Sequence, residues 1–382
     1  MYIIKVSKWF MLYMPIIVKF YAENGLDLKE LFVLQAVYSI AIVALEIPSG
    51  YLADVLGRKV TLVIGTIFGT LGFLTYSLTT GFWGFFAAEI TLGIGTSLIS
   101  GADSAMLFDT LLTSNKKQNY MKHEGRITSA GNFAEAVAGV LGGFLATITI
   151  RTPYFAQTAV AFIGIPAALM LIEPTRHKSM TILKFSDILN VIKYALVDNK
   201  LLRRNILFSS VIGTSTLTMA WFVQPYFMLV DVPLSLYGIL WTALNLTVAM
   251  VSMYAWRIER WLGEAKSVIL IGIMISAGYL SVGLVKAYWG ISFFFIFYII
   301  RGIATPVLKD YINKLTSSDI RATVLSVRSF VIRILFAMGG PFLGWYSDKF
   351  SIQQALLLAG GIFLLLNSIF ISLYLSLRMK RK

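Results

Sequence analysis

The sequence of 382 residues has no cysteine and only two histidines, His123 and His177, both in predicted loops. Without thiols, disulfide bonds and thiolate metal sites are excluded, and two separate imidazoles are a poor basis for a metal site. The sequence also lacks the GxxxxGK[ST] loop that holds nucleotide phosphates. We therefore predict no enzyme activity, no metal and no cofactor.

Charged residues are scarce as well, at 14% of the chain, whereas 57% is hydrophobic and the mean hydropathy is +0.76. A soluble domain has about a quarter charged residues, so this excess of apolar surface requires lipid. About 20 apolar residues cross a bilayer, so roughly twelve crossings use about 240 residues and leave only short loops. We predict twelve transmembrane helices at residues 4–22, 31–52, 60–79, 82–111, 126–148, 153–173, 204–229, 235–256, 267–286, 288–310, 322–346 and 352–377.

The net charge of +14 is spread unevenly over the loops. Basic residues concentrate in alternate loops, such as those with Arg58, Lys116, Arg257 and Lys309, and the intervening loops are poor in them. Because cytoplasmic loops carry the basic excess, we expect a multi-pass protein of the plasma membrane with both termini in the cytoplasm. The basic tail at residues 378–382 predicts an anchor to anionic lipid rather than a nucleic-acid site.

Residues 174–203 interrupt the hydrophobic pattern. The segment opens at the proline of the pair Glu173-Pro174, is rich in Lys and Arg, and has an amphipathic run at Phe185–Leu196. We interpret it as a cytoplasmic linker on the membrane surface. It divides the chain into a six-helix bundle at residues 1–173 and a second at 204–382. The halves repeat each other, since residues 92–96 (LGIGT) recur at 301–305 (RGIAT) and residues 261–266 are a diverged copy of residues 50–59.

Residues 50–59, with the sequence GYLADVLGRK, form a short polar turn between two long apolar segments. This pattern resembles the signature loop of the major facilitator superfamily, and the helix number and linker position agree over the whole chain. The resemblance implies an all-α membrane transporter of two pseudo-symmetric six-helix bundles. It also implies a substrate site between the bundles that opens to each side in turn.

The resemblance further implies a cytoplasmic latch. In it, Asp54 lies at the N-terminus of the eleventh helix, and Arg58 reaches Asp109 on the fourth. We choose Arg328 as the opposing basic partner, because arginine stays charged and binds carboxylates through two parallel hydrogen bonds. The alternative is simple anchoring at the membrane surface. The predicted latch consists of Gly50, Asp54, Gly57, Arg58, Lys59, Asp109 and Arg328.

Four carboxylates of the first half are candidates for proton coupling, because ionisable residues inside a membrane are rare. They are Glu46, Glu89, Asp103 and Glu135. Each has a structural alternative. Glu46 would pair with a basic residue at the cytoplasmic gate, Glu135 would be a packed hydrogen-bonding residue, and Asp103 would cap or pair internally. Glu89 would be a solvated carboxylate near the outer end.

Aromatic, amide and cationic side chains are candidates to shape a substrate cavity, although many aromatic residues of membrane proteins only pack or mark the interface. The candidates are Tyr13, Gln35, Tyr38, Asn132, Trp221, Gln224, Tyr226, Trp241, Asn245 and Arg301.

We therefore predict a monomeric secondary active transporter that exports small organic molecules in exchange for protons. Two departures from the family pattern keep alternatives open. Glu89 stands where an arginine is often found, and the fifth helix lacks the proline of many exporters in its run from Ala134 to Gly143. One alternative is a proton-linked importer of sugars or other nutrients. The other is a lipid-handling protein or receptor that keeps the fold without transport.

Overall fold

The computed structural model describes residues 1–114, 120–174, 185–317 and 320–379, and in these residues the chain forms helices and no strand. Residues 175–184 of the predicted linker and the last three residues of the basic tail lie outside this set. The helices are α1 (Tyr2–Trp9), α2 (Ile17–Glu23), α3 (Leu28–Val55), α4 (Arg58–Leu78), α5 (Gly81–Thr113), α6 (Tyr120–Ala146), α7 (Thr152–Leu169), α8 (Phe185–Lys193), α9 (Lys200–Leu229), α10 (Leu234–Leu284), α11 (Ile291–Asn313), α12 (Arg321–Lys349) and α13 (Ile352–Met379).

Nine of the described helices are long and apolar enough to cross a membrane, judged by length and composition alone. One of them is α10, whose 51 residues extend about 75 Å, more than twice the apolar thickness of a bilayer. Helical geometry is interrupted within α10 at Gly263 (φ 74°, ψ 165°). This residue lies between the spans predicted at 235–256 and 267–286. The all-α membrane fold is confirmed, and the count of twelve crossings stays a prediction.

The single first helix predicted at residues 4–22 is wrong, because the chain breaks between α1 and α2. Pro15 lies in the short 3₁₀ turn Met14–Ile16, where its missing N–H and its ring, which crowds the carbonyl group four residues earlier, favour a kink or a break. The backbone N–H of Leu12, freed by the break, donates to Gln157 Oε1 of α7 at 2.8 Å. A Cβ atom added to Gly142 of α6 would overlap the Leu12 carbonyl group. Gln157 and Gly142 therefore accommodate the break.

The chain divides into two compact units. The first comprises Met1–Met180 and Pro233–Thr242, and the second comprises Thr181–Val232 and Ala243–Lys382. In the first unit α5 packs against α3 and α4, α4 also packs against α7, and α1 contacts α6 and α7. In the second unit α9 packs against α11, α12 and α13. The start of α10 thus groups with the first unit.

The sequence repeat has a counterpart in the backbone and in helix packing. Gly57 of the signature loop (φ 108°, ψ 147°) and Gly263 of its copy both adopt a left-handed φ with an extended ψ. Among the repeated glycines, a Cβ atom on Gly93 of α5 would meet Ala41 of α3 at 2.6 Å. A Cβ atom on Gly302 of α11 would meet the backbone of α10 at 3.0 Å. The two motifs therefore allow close helix approach in both units.

Candidate functional site

The signature loop joins α3 to α4 in the first unit. Gly57 is the N-cap residue of α4, in a backbone region that is essentially restricted to glycine. Arg58 begins α4, and its Nε atom lies 2.8 Å from Asp109 Oδ2 near the C-terminal end of α5. Both side chains are mostly buried, at 14% and 17% exposure. The structure therefore brings these two predicted latch residues together.

A carboxylate that the sequence reasoning did not assign to the latch also holds the signature loop. Glu173 follows α7, and its two carboxylate oxygens accept the backbone N–H groups of Arg58 at 2.9 Å and Lys59 at 2.7 Å. Gly57 has no side chain with which to cap α4, so Glu173 does this from the segment that follows α7. An anion at this end is also favoured by the helix dipole. Two features of the sequence could have indicated this contact. Gly57 offers no side chain to cap α4, and Glu173 is part of a Glu-Pro pair.

The opposite end of α4 is capped by Arg151, which precedes α7. Its Nη1 donates to the carbonyl oxygens of Ser77 at 3.1 Å and Thr79 at 2.8 Å. Its Nη2 donates to Asn24 Oδ1 at 2.5 Å. A cation is the favourable partner for the exposed carbonyl groups at a helix C-terminus. α4 is thus held between an anion at its start and a cation at its end.

Three further predicted latch residues lie in α3 and α12. Gly50 lies inside α3, where an added Cβ atom would meet nothing within 4 Å. Asp54 is also in α3, but its side chain is outside the described set. In the second unit, Arg328 of α12 is only 8% exposed, and its Nε donates to Ser209 Oγ of α9 at 2.5 Å. The pairing of Arg328 with the signature loop stays a prediction.

Glu89 is buried, with 4% exposure, so the alternative of a solvated carboxylate is wrong. Three neutral groups from three helices lie within hydrogen-bond distance of its Oε1 atom. Gln35 Nε2 lies at 2.6 Å, the Tyr76 hydroxyl at 2.7 Å and the Tyr21 hydroxyl at 3.0 Å. The two phenol oxygens are 2.5 Å apart. The carboxylate is thus hydrogen-bonded, as a buried polar group must be, without a cation among these donors.

A closed group of aromatic rings surrounds this hydrogen-bonded cluster. Phe20, Tyr21, Tyr76, Phe85 and Tyr154 are each at most 1% exposed. The Phe20 and Tyr154 rings are 4.0 Å apart, and the Tyr76 and Phe85 rings are 5.1 Å apart. The Tyr154 hydroxyl is buried and has no hydrogen-bond partner among the described residues. We call these five rings the aromatic cage.

Asp103 is ion-paired within the first unit. Lys5 Nζ of α1 lies 2.7 Å from Asp103 Oδ2 of α5 and 3.7 Å from Glu124 Oε1 of α6. Ser104 Oγ also donates to Glu124 Oε1, at 3.4 Å. This arrangement corresponds to the internal pairing that was the alternative for Asp103. Sequence reasoning missed Lys5 and Glu124, because nothing in the sequence indicates which helices pack together.

The two remaining proton-coupling candidates, Glu46 and Glu135, are less buried than Glu89 and Asp103. Glu46 of α3 is half-buried, and its carboxylate makes no hydrogen bond or ion pair with another described residue. Glu135 of α6 is half-buried and interacts with neighbouring groups. Only Glu89 and Asp103 of the four candidates are deeply buried.

The cavity candidates of the first unit are dispersed. The Tyr13 ring packs against Phe73, with ring centroids 5.0 Å apart. Gln35 belongs to the Glu89 cluster, and the Tyr38 hydroxyl lies 3.2 Å from Thr96 Oγ1. Asn132 is exposed, whereas Trp241, at the start of α10, is buried.

The candidates of the second unit are mainly buried. Trp221, Gln224 and Tyr226 of α9 are 9%, 2% and 0% exposed. The Tyr226 hydroxyl contacts the carbonyl oxygens of Val285 and Ala287, each at 3.0 Å. The structure therefore favours a packing role for Tyr226, beside the C-terminus of α10. Asn245 and Arg301 are half-buried, and the Arg301 guanidinium lies 5.2 Å from the Tyr298 ring centre. No group of three metal-binding side chains occurs among the described residues.

The membrane-length helices are those of a multi-pass helical membrane protein, and the charged signature loop is the feature that predicts a transporter. The family model of the Major Facilitator Superfamily matches residues 8–340. The chain belongs to this family, and the resemblance predicted from the sequence is confirmed.

Two curated relatives are drug-resistance proteins. Quinolone resistance protein NorA of Staphylococcus aureus is 20% identical over 168 residues, which are 44% of this chain and 42% of that protein. Multidrug resistance protein 2 of Bacillus subtilis (strain 168) is 25% identical over 150 residues, which are 38% and 36% of the two chains. The chain thus matches less than half the length of these relatives.

Similar solved structures cover nearly the whole chain. The nucleoside transporter NupG has a TM-score of 0.79 at 14% identity, covering 98% of this chain and 99% of its own. An inward-facing, unoccupied bacterial homologue of the human lysosomal transporter Spinster has a TM-score of 0.79 at 15% identity, covering 97% and 95%. A POT family transporter in complex with a thioalcohol-conjugated peptide has a TM-score of 0.72 at 13% identity, covering 98% and 94%. Identities this low establish the fold alone. The family and its structures point to a transporter rather than an enzyme.

Proposed function

We propose that this protein exports small organic molecules across the plasma membrane in exchange for protons. The observation that carries the proposal is the partial similarity to two bacterial drug-resistance proteins, one of which is named for quinolones. Exchange with protons is supported by the carboxylate of Glu89, which is buried in apolar helices and has only uncharged hydrogen-bond partners among the described residues. The sequence has no phosphate-binding loop that would suggest ATP as the energy source. The protein works as a monomer with both termini in the cytoplasm.

The predicted latch controls access from the cytoplasm in this proposal. Arg58 and Asp109 connect α4 to α5, and Glu173 connects the start of α4 to the segment after α7. Because these contacts do not depend on a substrate, their loss should slow the transport cycle more than it weakens substrate binding.

Flux measured in proteoliposomes tests the proposal. The purified protein is reconstituted, a fluoroquinolone serves as the substrate probe, and a pH gradient is imposed across the membrane. We expect quinolone movement that depends on the gradient, reverses with its sign and stops when a protonophore is added. Empty liposomes measure passive permeation. Quinolone flux equal to that of empty liposomes under both gradients would contradict the proposal.

A second candidate function is proton-linked import of a nutrient. The nucleoside and peptide transporters among the similar structures favour it, although their likeness is one of fold. The same vesicles distinguish the two functions when a nucleoside or a dipeptide replaces the quinolone. In import the substrate and protons move in the same direction, whereas in export they move in opposite directions.

A further inference from the structure

Three oxygen atoms in the Glu89 cluster form a closed triangle. The distances are 2.5 Å between the Tyr21 and Tyr76 hydroxyls, 2.7 Å from Tyr76 to Glu89 Oε1 and 3.0 Å from Tyr21 to Glu89 Oε1. All three are hydrogen-bonding distances, so each side of the triangle requires one proton. An ionised Glu89 leaves only the two phenol protons for three sides, because a carboxylate is an acceptor only.

One added proton satisfies the triangle. With that proton on Oε1, Glu89 donates to Tyr21, Tyr21 donates to Tyr76, and Tyr76 donates back to Glu89. Oε1 also accepts from Gln35, which the two lone pairs of a carboxylic-acid hydroxyl oxygen allow. We infer that Glu89 is the residue that binds the coupling proton, with Tyr21 and Tyr76 completing a ring of hydrogen bonds around the protonated carboxyl group. The inference rests on the proposed exchange of substrate for protons.

The aromatic cage explains why the ligand is a proton rather than the organic substrate. The centres of its neighbouring rings are 4.0–6.4 Å apart, and none of the five rings is more than 1% exposed. A proton needs no additional volume, whereas a drug-sized molecule needs an open cleft. Protonation also removes a charge from an apolar site, which is favourable where a buried charge has no partner of opposite sign.

The charged and titratable neighbours of Glu89 come from several helices. α2 contributes Tyr21, α4 contributes Tyr76 and α7 contributes Tyr154, and the Tyr13 ring before α2 packs 5.5 Å from the Tyr154 ring. Arg151 lies against the cage, with its guanidinium 5.4 Å from the Phe20 ring centre, but its described hydrogen bonds go to the C-terminal end of α4 and to Asn24. None of these contacts joins Arg151 to Glu89, so they do not neutralise a charge on the Glu89 carboxylate.

The position of the cluster along the helices also fits proton entry from outside. Tyr76 is two residues before the end of α4, and Glu89 is eight residues after the start of α5. The turn between these helices is one of the segments that the charge pattern predicts outside the cell. Protons that drive export arrive at that side of the membrane.

Vesicle flux of Glu89→Gln tests the inference. The amide keeps the size of the side chain but cannot take up a proton, so quinolone flux driven by a pH gradient should fall by about tenfold or more, in the range of strong coupling between two ligands. Quinolone counterflow without a gradient should persist, which also shows that the variant is folded. Glu23→Gln is the control, since Glu23 pairs with Lys19 at the exposed end of α2. Full gradient-driven flux in Glu89→Gln would overturn the inference.

Infrared difference spectra provide a second readout that requires no substrate. Between acidic and alkaline buffer, the wild type should show a carboxylic-acid C=O band that Glu89→Gln lacks and Glu23→Gln keeps. Tyr76→Phe, which opens the ring but keeps the carboxyl group, should change the frequency of that band. If the wild type shows the band but no proton-driven flux, the proposed function fails while the proton site stands. An identical band in wild type and Glu89→Gln would contradict the inference itself.

Discussion

At the scale of single residues, the first unit distinguishes two kinds of buried carboxylate. Asp103 is neutralised by Lys5 at 2.7 Å, whereas the hydrogen-bond partners of Glu89 are uncharged groups. Removing one member of a buried ion pair leaves an uncompensated charge, while removing both does not. The two sites should therefore respond differently to substitution, and Asp103 should matter mainly for stability.

We predict a strong coupling between Lys5 and Asp103. Lys5→Met alone should lower the free energy of unfolding by about 3 kcal/mol, because it leaves the buried Asp103 carboxylate without its partner. Asp103→Asn should cost less, since Lys5 Nζ still lies 3.7 Å from Glu124 Oε1. The double variant should be more stable than either single variant. Thermal unfolding of the purified proteins in detergent gives the double-mutant cycle. Additive losses in the double variant would show that the two residues are not energetically coupled.

A second prediction concerns Arg58 and Asp109. Arg58→Ala should reduce the rate of quinolone transport about tenfold, a typical size for a coupling between conformation and binding, with little change in quinolone affinity. The exchange Arg58→Asp with Asp109→Arg restores opposite charges and should recover part of the rate. Lys19→Ala, at an exposed pair, is the matched control. A loss confined to affinity would argue against a latch.

At the scale of elements, α4 is held by charges at both termini. Glu173 binds the first backbone N–H groups, and Arg151 binds the last carbonyl groups. Both residues flank α7, so the two contacts fix α4 against its neighbour at each end. The signature loop is positioned by this arrangement as well as by its own side chains.

Glu173→Ala should loosen the start of α4. Loss of an N-terminal cap costs about 1 kcal/mol, and hydrogen exchange of the Arg58 and Lys59 amides should become faster. Glu173→Gln, which keeps one acceptor oxygen, should have a smaller effect. Asp27→Ala removes the cap of α3 instead and should leave these two amides unchanged. Unaltered exchange in Glu173→Ala would show that the cap is dispensable.

The two glycines with matched backbone geometry provide a further prediction. Alanine at Gly57 or Gly263 must adopt a glycine-only conformation, so each substitution should destabilise its unit by about 1–3 kcal/mol. Gly69→Ala and Gly361→Ala are the controls for the two units, because both positions are helical with open space for a Cβ atom. Melting temperatures report the difference. Equal losses of stability at all four sites would contradict the explanation that the backbone conformation of Gly57 and Gly263 requires glycine.

At the scale of the whole molecule, the sequence was sufficient for the fold class, because apolar run length, loop charge and the signature loop are local features. The break at Pro15 was missed, because its stability depends on Gln157 and Gly142 from other helices. The environment of Glu89 was missed for the same reason. Tyr21 and Tyr76 reach it only after three helices have packed, and no spacing in the sequence marks such a meeting.

The internal pH of proteoliposomes, recorded while a fluoroquinolone gradient is imposed, tests the central claim of proton exchange most directly. No pH gradient is present at the start, and empty liposomes supply the passive background. The account predicts that protons move opposite to the quinolone and that Glu89→Gln abolishes this movement. Protons that travel with the quinolone, or an internal pH that stays constant while the protein carries quinolone across, would contradict it.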